Sequence, residues 1–303
     1  MTLSEADAAH DFTVSLRISL LGLQVEILAY ETLLLEGLAS CFESTLRQGA
    51  FLPHGEADLL VMLEMQDTPV SRDDDVIRVS TRPTGVLATA TLTVPDSSRS
   101  LACDLTSWAV ANTRAYYVFH AGSVARDGKG ILLPGRSRSG KTTLTAGLVK
   151  RGFRFLSDEI GIFERSSGQM VGYPRALFVR KDILCLLGLN ESVGAWSDDS
   201  CARIVSVTDL GGIRASRGAE PAIIVAPRFR PDAATRLERL TPGSAVEVLV
   251  DAFCCLSRFK ETGLDLLIDL ARRVPCYLLP FSDLDSALDA IEDAFDRALK
   301  RAL

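Results

Sequence analysis

The sequence predicts an α/β protein whose core runs strand, phosphate loop, helix, strand, preceded by a small α+β unit. Three observations carry that prediction. Gly130 to Leu133 form an apolar strand-like run leading into Gly135-Arg136-Ser137-Arg138-Ser139-Gly140-Lys141-Thr142, a match to GxxxxGK[ST] followed by a helix-forming stretch. That helix can run only about ten residues before Gly152, a good C-terminal stop. "FRFLS" then returns as a strand, with Asp158-Glu159 at its C-terminal end.

Taken in order, residues 11 to 28 alternate loosely and then run apolar, which suggests one or two strands. Residues 31 to 47 place Leu34, Leu35, Leu38, Phe42 and Leu46 at helical spacing. Residues 57 to 65, 75 to 82 and 85 to 94 read as strands, the last two joined by a turn at Pro83-Thr84. Pro, Asp and Ser cluster in 94 to 100 and mark a boundary. Residues 1–97 are expected as an α+β partner or substrate module, and 98–303 as the phosphate-loop domain. A helical pattern covers "LACDLTSWAVANTRAYYVF", and His120 to Ala125 and Gly130 to Leu133 read as strands around a turn at Asp127-Gly128. Beyond the core, 221 to 229 reads as a buried strand, 242 to 256 and 263 to 273 as helices, and "PCYLLPF" as a last strand. Residues 282 to 303 read as an amphipathic closing helix with Ser282 as its cap.

Composition narrows the classes. Of 303 residues, 47% are hydrophobic and 24% charged, and no apolar run approaches the roughly 18 residues of a membrane span. The start, "MTLSEADAAHDF", is acidic where a signal peptide is basic, so a cytoplasmic location is expected. The net charge of -6 is mildly repulsive to phosphate chains, so nucleic acid is not an expected partner, and without an apolar span neither is a membrane. The seven cysteines lack CxxC spacing and read as reduced small hydrophobes.

The loop has a specific chemistry. Backbone N–H groups wrap a β-phosphate, the following helix adds its positive N-terminal end, Lys141 bridges β- and γ-phosphates, and Thr142 can ligate Mg²⁺. Gly135 to Thr143 (Gly135, Arg136, Ser137, Arg138, Ser139, Gly140, Lys141, Thr142, Thr143) are the nucleotide-holding set. Arg138 stands where many such loops carry a small residue; it is either strained or an added phosphate contact, with Arg136 the other candidate, and both also read as solvent-facing arginines. In a parallel β-α-β unit the loop and the end of the second strand share one sheet edge. Of Asp158 and Glu159, one can then hold Mg²⁺ while the other accepts the proton of an attacking hydroxyl; a solvated acidic turn is the plain alternative. The short spacing favours kinase chemistry over GTPases and transporter ATPases, whose second acid comes later in the chain.

The segment from "FHAGSVARDGKGILLPGRSRSGKTTL" through "FLSDEIGIFERSSGQMVGYPRAL" resembles the catalytic core of the HPr kinase/phosphorylase family. It is most similar to HPr-kinase-related proteins, some of which accompany gene clusters for modified peptides. The resemblance covers roughly residues 117 to 182 and implies a P-loop kinase core of the HPr kinase/phosphoenolpyruvate carboxykinase type. It makes Asp158 the base that activates a seryl hydroxyl, Glu159 and Thr142 the Mg²⁺ ligands, and His120 a neighbour of the reacting phosphate. A packed strand-end histidine also fits His120. Arg175 and Lys181 become stabilisers of the transferring phosphoryl group, or ordinary surface cations. The family's "EIRGLG" has no match; the corresponding region reads "RKDILCLLGLNESVGAW", so the resemblance does not extend to HPr recognition or the phosphorylase reaction. The expected function is an ATP- and Mg²⁺-dependent kinase acting on a serine of a peptide or small protein, with a homo-oligomer compatible. A small-molecule kinase and a catalytically silent nucleotide-binding module of a peptide-modifying complex are the alternatives.

Overall fold

In the computed structural model, residues 14–29, 33–42, 47–48, 57–66, 76–82, 88–190, 193, 195–196 and 202–302 are described. Contacts group the chain into two units: 1–113 with 174–176 and 194–204, and 114–173 with 177–193 and 205–303.

The first unit begins with β1 (Val14–Leu20) and β2 (Leu23–Ala29), an antiparallel pair from Val14↔Ala29 to Leu20↔Leu23. Its two-residue turn, Leu21 (φ 53) and Gly22 (φ 78), has the left-handed backbone that matches strand twist. Leu16, Ile18, Val25 and Ile27 are buried. Of the helical set, Leu35, Leu38 and Phe42 are buried in and just after α1 (Leu33–Cys41). β3 (Arg47–Gln48), β4 (Leu59–Gln66), β5 (Val76–Arg82) and β6 (Ala88–Thr93) complete a six-stranded sheet of order β3-β1-β2-β4-β5-β6. The turn at Pro83-Thr84 lies outside the described residues.

α2 (Val94–Asn112) packs on α1. The expected boundary at 97/98 falls inside this helix. Pro95 sits in its first turn, where a missing N–H costs nothing, so the Pro-Asp-Ser cluster starts a helix. The helical pattern also extended too far: Tyr116 to Phe119 belong to β7 (Tyr116–Arg126), where an aromatic and β-branched run is at home.

In the second unit, β7 and β8 (Lys129–Pro134) form a hairpin through Asp127 (φ 54) and Gly128 (φ 74). α3 (Lys141–Lys150) follows the loop. It ends in a Schellman closure, with Phe153 N–H donating to Leu148 C=O, Gly152 N–H donating to Val149 C=O, and Gly152 at φ 91. Next come β9 (Arg154–Ser157), β10 (Ile160–Glu164), β11 (Met170–Val171), β12 (Leu177–Arg180) and α4 (Lys181–Leu184). β13 (Ala195–Trp196) and β14 (Ala202–Val205), grouped with the first unit up to residue 204, pair antiparallel. The chain then forms β15 (Glu220–Phe229), β16 (Glu238–Arg239), α5 (Pro242–Ala252), α6 (Leu256–Arg273), β17 (Cys276–Phe281) and α7 (Leu284–Ala302).

The mixed sheet of this unit has the order β11-β10-β7-β8-β15-β17-β16, with β9 also on β7. β8, β15 and β17 are mutually parallel, and β8 and β9 both run antiparallel to β7. The C-terminal ends of β8, β9, β15 and β17 therefore share one edge, the edge at which ligands bind in sheets of this kind. Below it lies an apolar core including Leu133, Leu144, Leu148, Phe155, Ile223 and Leu279. α7 lays Ala287, Leu288, Ile291, Ala294 and Phe295 onto that core at helical spacing. Its cap is Asp283, whose carboxylate accepts from Ser286 N–H at 2.8 Å; Ser282, the expected cap, donates instead to Ala233 C=O at 2.9 Å. Arg151 reaches from the end of α3 to Asp289 (2.6 Å) and Glu292 (2.9 Å) of α7. Cys185, Cys254 and Cys276 carry thiols, not disulfides. No described helix is long and apolar enough to cross a membrane.

Candidate active site

The loop after β8 is tied to β7 at its start, where Gly135 N–H donates to His120 C=O at 3.4 Å, and to β15 near its end, where Phe229 N–H donates to Ser139 C=O at 3.1 Å. Two residues hold left-handed backbone: Arg138 (φ 65) and Gly140 (φ 100). For arginine this costs on the order of 1–2 kcal/mol. Of the alternatives for Arg138, backbone strain is thus present, while its side chain is exposed. Such turns fold successive N–H groups into an anion-binding concavity, and the first N–H groups of α3, which have no intrahelical acceptor, open onto the same place. A Cβ at Gly140 would stand 2.6 Å from Phe281 Cζ, and one at Gly135 would stand 2.7 Å from Ser139 Oγ. Glycine is required at 140 by packing and by backbone angle, whereas at 135 the obstacle is the rotatable Ser139 hydroxyl.

Lys141 is the centre of the cluster. Its side chain is buried, and Nζ donates to Gly135 C=O (2.7 Å) and Arg136 C=O (2.8 Å) and lies 3.1 Å from His120 Nε2. An ammonium can only donate, so the network assigns Nε2 as acceptor and places the imidazole proton on Nδ1. Nδ1 lies 3.4 Å from Glu159 Oε1. Glu159, His120 and Lys141 thus form a continuous chain from the sheet edge to the loop. Burial lowers the Lys141 pKa below its usual 10.5, with the fields of Glu159 and Asp158 opposing that shift.

The acid pair reaches this position through β7. β9 and β10 run as one line along it, with Ser157 opposite Ser123 and Ile160 opposite His120. Ser157 Oγ accepts from Ile160 N–H at 3.2 Å, and Ala121 N–H donates to Glu159 C=O at 3.1 Å, fixing the link between the two segments. Gly122 lets β7 press on α3: a Cβ there would stand 2.3 Å from Thr145 Oγ1. Asp158 is buried at 2% exposure, whereas the Glu159 side chain keeps 41%. The two adjacent carboxylates therefore occupy different environments, one dry and one wet, which suits one to proton transfer and the other to a hydrated cation.

The remaining expected residues divide. Thr142 and Thr143 are half-buried in the first turn of α3. Arg136, Ser137 and Arg138 are exposed, and Arg136 pairs with Asp251 at 3.0 Å. Arg175 is buried in the 174–176 segment, which groups with the first unit, and Lys181 opens α4 exposed. Sequence reasoning did not single out Cys254. Its N–H donates to Val118 C=O at 2.9 Å, so it lines β7 two residues before His120. The residue is exposed, yet desolvation of its thiol is the largest cause pushing that group up to about 11.

For a nucleotide the fit is good: a left-handed glycine packed on Phe281, helix-start N–H groups and a buried lysine meet at the loop. Among the described residues no group of three or more His, Cys, Asp or Glu could hold a metal alone. Mg²⁺ at phosphate sites needs only one or two carboxylates besides phosphate oxygens, a role Glu159 can fill, with the Thr142 hydroxyl as a further oxygen ligand. No protein-family model matches the chain, and no curated protein matches its sequence.

Proposed function

We propose that the chain is an ATP- and Mg²⁺-dependent kinase that transfers the γ-phosphoryl group to a hydroxyl, a serine of a peptide or small protein, from a P-loop core of the HPr kinase/phosphoenolpyruvate carboxykinase type. The observation that carries this reading is the convergence of Lys141, His120, Glu159 and Asp158 beside the 135–142 loop. Loop amides and Lys141 would hold the phosphates, with Thr142 and Glu159 holding Mg²⁺, which supplies charge neutralisation on the phosphoryl oxygens. His120 orients Glu159 through Nδ1–H. Asp158, with little water around it, takes the seryl proton as the hydroxyl oxygen bonds to the γ-phosphorus and the bond to the β,γ-bridging oxygen breaks, releasing ADP. Catalysis in this scheme is mostly positioning and electrostatics.

Calorimetric titration with Mg²⁺ and ATP tests the first half of the reading. Binding by the wild-type chain that is lost in Lys141→Ala supports it; a wild-type chain that binds no ATP removes it.

A further inference from the structure

The direction in which a nucleotide must lie leaves its base end unassigned. Along the shared sheet edge, the acid pair and His120 stand on the β7 side of β8, and β15 stands on the other. A γ-phosphate facing Asp158 and Glu159 therefore sends the nucleoside toward the end of β15. There stands Phe229, 48% exposed, one of the few large hydrophobic side chains open to solvent among the described residues. Its ring is braced, not loose. Phe281 meets it edge-on with centroids 5.6 Å apart and planes at 70°, and Phe281 is itself buried against Gly140 of the loop. The Phe229 backbone N–H donates to Ser139 C=O, tying the residue to the loop.

Resting on the nucleotide reading above, we propose that Phe229 is the stacking platform for the nucleobase of the bound nucleoside triphosphate. The same geometry sets the selectivity. The N–H groups of Phe229 and Arg230 are already given to Ser139 C=O and Phe281 C=O, so this platform offers a π-face and no backbone donor to read the base edge. Stacking of this kind tolerates any base and favours larger rings. ATP and GTP should bind alike, and CTP and UTP more weakly.

The test compares ATP with inorganic tripolyphosphate, which has the phosphates and no base, by calorimetry with Mg²⁺ on the full chain. Phe229→Ala should weaken ATP roughly tenfold, the scale of one lost base–aromatic stack, and leave tripolyphosphate unchanged. Phe229→Leu keeps the apolar packing on Phe281 without a π-face and should behave like Phe229→Ala, while Phe229→Trp should retain ATP. Wild-type affinity for ATP in Phe229→Leu overturns the proposal, as does an equal loss of ATP and tripolyphosphate in both truncations, which marks a purely structural ring. If the wild-type chain binds neither ligand, the phosphate-loop reading fails first and the platform with it.

Discussion

Gly140→Ala probes how the loop is held, and its cost can be worked from two contributions. The residue sits at φ 100, so an L side chain brings a backbone penalty on the order of 1–2 kcal/mol. Its Cβ would stand 2.6 Å from Phe281 Cζ and 3.2 Å from Cε1. Phe281 is buried and held edge-on to Phe229, so relief requires moving a packed ring, at about 1–3 kcal/mol. The sum is roughly 2–5 kcal/mol, a fall in midpoint on the order of 10 °C for a unit of this size. Gly128→Ala isolates the first contribution, since φ there is 74 and nothing lies within 4 Å of the added Cβ. Thermal denaturation followed by circular dichroism should rank Gly140→Ala well below Gly128→Ala, with Phe281→Leu in the double variant recovering the difference. Equal midpoints for the two single variants would refute the argument that the loop is seated on Phe281.

Three further predictions concern the core and the lysine. Phe153 is buried, meets Phe295 edge-on at 5.2 Å and carries the Arg126 guanidinium 4.3 Å above its ring; Phe153→Ala should cost about 3–5 kcal/mol in denaturant unfolding. Lys141 has a folded pKa below 10.5, so between the two values the unfolded chain binds more protons and stability rises with pH. That rise should be reduced in Lys141→Met. Glu159→Gln, by removing an opposing charge, should lower the lysine pKa further and speed its acylation at alkaline pH, read by peptide mass spectrometry.

Much of this arrangement was legible where the signal is local. The loop motif, the roughly ten-residue helix stopped by Gly152, and the Asp127-Gly128 hairpin each depend on backbone angles that a few neighbouring residues dictate. Errors arose where one stretch satisfies two rules: Pro95 both breaks and starts helices, and Tyr116 to Phe119 suit either period. Ser282 and Asp283 are both good caps, and only the position of Ala233 decides between them. The His120 bridge between Lys141 and Glu159 needed the pairing of β9 and β10 along β7, and Phe229 needed β15 to lie beside β8. Those are long-range contacts, which no local pattern encodes.

In the proposed kinase reaction Asp158 is the proton acceptor. Incubation of the wild-type chain and Asp158→Asn with Mg²⁺, ATP and a library of seryl peptides, read as phosphoserine by mass spectrometry, tests it most directly. The variant changes one oxygen to an amide in a buried position, and ATP titration serves as the check that the loop is intact. Phosphoserine is expected with the wild-type chain, with a loss of roughly 10²–10⁴-fold in the variant, the scale of a lost general base, and ATP binding retained. Phosphoserine formed equally fast by Asp158→Asn would contradict that role.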